Sequence, residues 1–189
     1  MSKKQLTAEQ IAEKVEKNAL VFDFCCGSGC VGLSLLNRRA DLSCHLFDLS
    51  DDALALTEKN RERLSLSSRS TVEKLDVLSP EAEERIRRQK PALVISNPPY
   101  LTKEEMEQLP ENVAEEPALA LDGGEDGLRY YRAIVAYAPL LLKPDGILLF
   151  EIGYDQAEDV SRILEDAGYS VAVLKDYSKN DRVVLAKRG

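Results

Sequence analysis

Apolar positions along this chain fall into short runs with the length and β-branched content of strands, and these runs alternate with longer stretches whose apolar residues recur at helical spacing. Residues 19–24, 43–48, 71–75, 92–96 and 146–152 read as strands, and 169–174 with 182–186 as a closing pair. Helical patterns follow from Val31 through Leu33, Leu35 and Leu36, then at about 51–66, 81–90, 128–142 and 156–167. Ahead of the first strand, Thr7 and Gln10 form a capping box that opens an amphipathic helix through about Lys17, with Ile11, Ala12 and Val15 on one face. Strands alternating with helices predict an α/β domain around a mostly parallel sheet with helices on both faces. The interval 101–126 carries no sustained periodicity beyond a short helix expected near Thr102. It is long for an ordinary connection, and it is expected to be a substrate lid.

The chemistry sits where the predicted strands end. Residues 92–96 run into Asn97-Pro98-Pro99-Tyr100. Prolines donate no backbone hydrogen bond, so the strand stops there and leaves the Asn97 amide, the Pro98 carbonyl and the Tyr100 ring at its carboxyl edge. In open α/β sheets that edge binds ligands. Two neighbouring acceptors suit the two protons of a substrate NH2 group, and an aromatic ring supplies a flat wall. A plain Pro-rich turn would use the same residues, but the upstream context favours a site. There, Cys25-Cys26-Gly27-Ser28-Gly29-Cys30-Val31-Gly32 joins the first strand to a helix, with Gly27, Gly29 and Gly32 in the G-x-G-x-x-G spacing that lets a ligand approach the backbone. About 20 residues further on, Asp48 ends the next strand, where a carboxylate would receive ribose hydroxyls. Asp48 could alternatively introduce the helix after Ser50, although Ser50 is the better N-cap.

A nicotinamide dinucleotide and S-adenosyl-L-methionine would both use these features. Hydride transfer leaves Asn97-Pro98-Pro99-Tyr100 without a task, whereas methyl transfer to an amide or amino nitrogen needs paired acceptors. At this point the chain resembles the S-adenosylmethionine-dependent methyltransferases that modify nitrogen. With Glu116-Pro117, Gly123-Gly124, Asp126-Gly127 and Tyr130, then Glu151, Gly153 and Gln156, and finally Asp176 and Arg182, residues 19–187 resemble the HemK/PrmC protein-(glutamine-N5) methyltransferases.

That resemblance implies a Rossmann-like fold with seven strands in the order 3-2-1-4-5-7-6, the last antiparallel. It implies S-adenosyl-L-methionine held by Asp23, Cys25, Cys26, Gly27, Ser28, Gly29, Asp48, Asp76, Val77 and Asn97, with Asp76 and Val77 toward the adenine. Substrate would meet Asn97, Pro98, Pro99, Tyr100 and Glu116, of which Asn97, Pro98 and Tyr100 would be catalytic. The partner implied is a peptide chain release factor, whose Gly-Gly-Gln glutamine would be methylated. Two departures stand out. Family members usually carry Gly at the first turn position, occupied here by Cys25, and they carry an N-terminal helical domain, in whose place residues 1–18 are expected to be a helix or linker remnant before a methyltransferase domain at 19–189.

Composition narrows the alternatives. With 189 residues and 44% hydrophobic content the chain suits one filled α/β domain. No apolar run approaches the roughly 20 residues needed to span a bilayer, and Met1-Ser2-Lys3-Lys4 leads into a charged helix rather than a signal peptide's apolar core, so a cytoplasmic protein is expected; a monomer is expected as well. The formal charge of −8 opposes steering onto phosphates and weighs against the runner-up, an N6-adenine nucleic-acid methyltransferase. A non-catalytic binding module is the non-enzyme alternative. Cys25, Cys26, Cys30, Cys44 and His45 lack the paired spacing of a zinc site, so no metal is expected.

Overall fold

The computed structural model describes residues 15–108 and 117–188. Its centre is a seven-stranded sheet built from β1 (Leu20–Phe24), β2 (Ser43–Asp48), β3 (Ser70–Lys74), β4 (Leu93–Ser96), β7 (Ile147–Glu151), β8 (Tyr169–Lys175) and β9 (Asp181–Arg188). The strand order is β3-β2-β1-β4-β7-β9-β8. Strands β1, β2, β3, β4 and β7 pair in parallel, while β9 is antiparallel to both β7 and β8. This is the order and orientation that the family resemblance implies.

Alternating side chains divide the core between the two sheet faces. Phe22, Phe24, Phe47, Val94, Leu148 and Phe150 face one layer, which includes α3 (Pro80–Ile86), α6 (Arg129–Leu141) and α7 (Ala157–Asp166). Val21, Leu46, Leu93 and Ile95 face the other, with Leu33 and Leu36 of α1 (Cys30–Arg38). Both faces of the central strands are therefore apolar, which explains their near-continuous hydrophobic runs. Each fully buried Phe or Leu contributes roughly 1.5–3 kcal/mol over exposure.

Helix boundaries move where backbone geometry intervenes. The helix expected at about 51–66 is α2 (Asp51–Arg63), capped by Ser50 and ended by Ser65 at φ 58°. The helix expected at 81–90 stops at Ile86, followed by turns and by Lys90 at φ 50°, immediately before Pro91. Val15 is buried, yet residues 15–18 form a bend and turn rather than helix, and the rest of the expected N-terminal helix lies outside the described residues.

Residues 101–126 contain more than the expected short helix. Besides α4 (Lys103–Met106), which starts with a Thr102/Glu105 capping box, there are β5 (Leu101–Thr102), α5 (Ala118–Leu121) and β6 (Asp122–Gly124). β5 and β6 pair in parallel. Among the described residues no helix is long and apolar enough to cross a membrane.

Candidate active site

The site forms at the carboxyl ends of β1, β2, β3 and β4, where the strand order reverses between β1 and β4. The turn after β1 needs left-handed backbone at Cys25, Gly27 and Gly29, with φ of 55°, 56° and 74°. A Cβ on Gly29 would lie 2.9 Å from Thr57 Cγ2, and one on Gly32 would lie 2.7 Å from Asp23 Oδ2. Glycine spacing here therefore reflects backbone conformation and contact with what surrounds the turn.

Four side chains brace this turn. Asp23 Oδ2 accepts the Gly32 amide at 2.9 Å, and Asp48 Oδ2 accepts the Gly27 amide at 2.8 Å. From α2, Thr57 Oγ1 donates to Gly27 O at 2.8 Å and Asn60 Nδ2 donates to Ser28 O at 2.9 Å. Sequence reasoning singled out Asp23 and Asp48 but missed Thr57 and Asn60. Asp48 also performs the local task weighed against it, because its Oδ1 accepts the Ser50 amide at 2.9 Å.

Beside the turn lies a cavity of about 580 Å³, within the size range of cofactor sites. Asp23, Cys25, Cys26, Gly27, Ser28, Asp48, Asp76, Val77, Asn97 and Pro99 all line it. Gly29 is buried outside the lining. Phe47, Leu75, Val77 and Tyr130 supply apolar and aromatic wall. Asp76 Oδ1 accepts the Leu78 amide at 2.9 Å, so it shapes its own turn while remaining on the cavity surface.

The charge of this cavity is one-sided. Asp23, Asp48, Asp52 and Asp76 line it, and no Lys, Arg or His is among its described lining residues. Such a field favours a cationic ligand and opposes a pyrophosphate. Asp23 is 2% exposed. Its burial, aided by the nearby Asp48 charge and opposed by the Gly32 amide, pushes its pKa up to about 7. Burial likewise pushes the Cys25 and Cys26 thiols up, away from reactive thiolate. An adenosine with a positively charged sulfonium and an amino-acid tail fits this room, these carboxylates and these walls.

Asn97 stands at the cavity's edge with an exposed side chain, and among the described residues no hydrogen bond ties its amide. Its neighbours are fixed. Ser96 Oγ donates to Phe24 O at 2.8 Å, Pro98 and Pro99 are buried, and the half-buried Tyr100 packs against the core. Neither Pro98 nor Tyr100 lines the cavity. Glu116 lies outside the described residues.

Of the other motif residues, Glu151 is half-buried, and burial raises its pKa against the opposing charge of Arg182. It does not line the cavity. Arg182 Nη1 donates to Ile152 O at 3.1 Å, and its Nε lies 3.6 Å from Asp176 Oδ2. Those two residues fix the end of β7. His45, which the sequence left as a strand residue, stacks on Phe22 with ring centroids 5.6 Å apart.

A five-strand parallel run extended by an antiparallel pair, with an acid-lined cavity at its switch point, defines a Rossmann-like methyltransferase domain. The family described as "Methyltransferase small domain" matches residues 4–124, and the chain belongs to it. The chain is 41% identical to a release factor glutamine methyltransferase of Clostridium acetobutylicum, over 98% of its own length and 65% of that protein's. It is 37% identical to a ribosomal protein uL3 glutamine methyltransferase of Francisella tularensis, over 72% of the chain and 42% of the relative. The resemblance read from the motifs is borne out by these relatives, of whose length the chain spans 65% in the first case.

Among solved structures, a release factor-specific protein-(glutamine-N5) methyltransferase from Alicyclobacillus acidocaldarius superposes with a TM-score of 0.56 at 23% identity, covering 96% of this chain and 86% of that one. That likeness speaks for the fold.

Proposed function

We propose that residues 19–189 are a methyltransferase domain that transfers a methyl group from S-adenosyl-L-methionine to the side-chain amide nitrogen of a protein glutamine, and that the target is the Gly-Gly-Gln glutamine of a peptide chain release factor in the cytoplasm. The observation that carries this reading is the adjacency of an acid-lined cavity to the exposed amide of Asn97, which no hydrogen bond ties among the described residues. One feature favours a cationic cofactor, and the other offers a docking group for a planar NH2. The names of the relatives support the choice of glutamine.

The cofactor supplies an electrophilic sulfonium methyl group when bound. Asp48 and Asp76, with the Gly27–Ser28 backbone, would hold its ribose, adenine and tail, and Val77 and Phe47 would wall the adenine. An amide nitrogen is a poor nucleophile because its lone pair is delocalised into the carbonyl, so the protein's task is orientation. Asn97 Oδ1 accepts one N–H of the target amide, and the Pro98 carbonyl accepts the other. Both interactions strengthen as the nitrogen gains positive charge and its hydrogens become more acidic. The released proton passes to water on the open side of Asn97, and no strong base is required. Tyr100 packs beneath the turn and keeps it rigid, and Glu116 would border the substrate.

The nucleic-acid reading uses the same Asn-Pro-Pro-Tyr turn but needs a basic path to the site. The acid-lined cavity and the net charge of −8 disfavour it. The deciding experiment is tandem mass spectrometry on a release factor incubated with this protein and methyl-labelled cofactor. Label on the Gly-Gly-Gln glutamine is expected. Wild-type protein that labels neither the factor nor a Gly-Gly-Gln peptide would overturn the reading.

A further inference from the structure

The backbone of the Asn97–Tyr100 turn is held from outside by Gln156, which lies at the start of α7. Its Nε2 donates to Tyr100 O at 3.0 Å and to Gly127 O at 3.4 Å, and its Oε1 accepts the Gly153 amide at 3.0 Å. One planar side chain thus ties three segments together: the turn after β4, the approach to α6 and the loop after β7. The packing around this junction leaves no room for slack. A Cβ on Gly123 would lie 2.7 Å from Tyr100 Cα, and one on Gly127 would lie 2.7 Å from Gln156 Nε2. Both glycines are where they are because the backbone of another segment approaches them closely.

At the other end of the turn, Ser96 Oγ is fastened to Phe24 O at 2.8 Å. Only Asn97, Pro98 and Pro99 separate the two anchors, and the prolines have nearly fixed φ. Few backbone torsions remain, so the position of the Tyr100 carbonyl constrains the backbone from which the Asn97 side chain and the Pro98 carbonyl project. Gln156 itself does not line the cavity.

We propose that Gln156 is a positioning residue which, through the Tyr100 carbonyl, sets the orientation of the two acceptors at Asn97 and Pro98. This rests on the reading of the domain as an amide methyltransferase. Glutamine suits the task because it presents a donor to one loop and an acceptor to another from the same plane. An ionised glutamate offers acceptors alone and would face the Tyr100 carbonyl with a negative charge. Displacement of a reacting group by about 1 Å can cost about a hundredfold in rate.

The test compares Gln156→Glu and Gln156→Ala with wild type for methyl transfer to a Gly-Gly-Gln peptide across pH, alongside calorimetric affinity for S-adenosylhomocysteine and thermal midpoints. At pH 8 both variants are expected to lose kcat by roughly 30- to 100-fold, with affinity for S-adenosylhomocysteine within about threefold of wild type. On acidification Gln156→Glu recovers, because a neutral carboxyl again supplies one donor and one acceptor. Gln156→Ala does not recover. This contrast separates orientation from general destabilisation, and it survives if the alanine variant fails to fold, since Gln156→Glu then serves as its own control at low and high pH. The proposal is overturned if Gln156→Glu keeps kcat within threefold of wild type at pH 8, or if its pH profile parallels that of wild type. Wild-type protein without methyl transfer overturns the functional reading and this inference with it, whereas an active wild type with indifferent variants overturns the inference alone.

Discussion

Asp48 Oδ2 accepts the Gly27 amide at 2.8 Å, so the carboxylate placed to receive a ribose also fixes the glycine turn beside it. Its other oxygen holds the Ser50 amide at 2.9 Å. Each oxygen retains acceptor capacity for a ligand. Removing the side chain should therefore register twice. Asp48→Ala is expected to weaken S-adenosylmethionine binding by about 1.5–3 kcal/mol and to lower stability by about 1–3 kcal/mol, since two amides lose their acceptor. Asp48→Asn keeps one oxygen and should fall between. Calorimetry and denaturant titration measure the two effects separately, and unchanged affinity in Asp48→Ala would remove Asp48 from the ribose site.

Asn97 presents the opposite case, an exposed group with no bond of its own among the described residues. Asn97→Ala should leave stability within about 0.5 kcal/mol of wild type. It should lower kcat by roughly a hundredfold, because the lost acceptor acts mainly in the transition state. A single-turnover rate within threefold of wild type would defeat the proposed role.

The sheet was legible because both faces of its central strands are buried, which leaves continuous apolar runs such as Leu93–Ser96 that end in turn residues. Asp48 and the glycines were legible for a related reason, since spacing along one chain maps directly onto neighbouring strand ends. Thr57 and Asn60 were hidden. They lie on the polar second half of a helix whose apolar residues, Ala53 to Leu56, are all in its first half, and there a residue facing the turn looks like one facing water. The β5–β6 pairing was hidden too, because two or three residues cannot display a period. Gln156 appeared as part of a motif, but its reach to Tyr100 follows from the packing of Gly123 and Gly127 and could not be read along the chain.

Cys25 departs from the glycine usual at its position and has φ 55°. A left-handed conformation costs a non-glycine residue roughly 1–2 kcal/mol, while glycine there gains mobility in the unfolded chain. Cys25 also packs against the core, so its side chain returns part of that cost. Cys25→Gly should consequently change stability by less than about 1 kcal/mol and preserve cofactor binding. Cys25→Val should destabilise by more than about 2 kcal/mol, because a β-branched residue resists positive φ. Thermal denaturation of the pair checks this, and an equally stable valine variant would show that the turn relaxes away from the left-handed region.

Asp23 makes stability depend on pH in a direction unusual for a carboxylate. Its folded-state pKa of about 7 lies above the ordinary 3.8 because burial opposes the charge, with Asp48 adding to the shift. Between those values the folded protein holds a proton that the unfolded chain has released, so this group's contribution to stability falls as pH rises from about 4 to about 7 and is level above. At about 1.4 kcal/mol per unit, the full effect is at most about 4 kcal/mol. Asp23→Asn removes the charge and keeps an oxygen for the Gly32 amide, which Asp23 accepts at 2.9 Å. With the two proteins alike below about pH 4, where the carboxyl is neutral folded and unfolded, the variant should exceed wild type by about 1–2 kcal/mol at pH 5, where the unfolded carboxyl has already ionised, and by up to about 4 kcal/mol at pH 8. Urea unfolding of both proteins from pH 5 to pH 8 measures the divergence. Parallel stability curves would mean that Asp23 ionises near its ordinary value, with water or backbone relaxation screening a carboxylate that is 2% exposed.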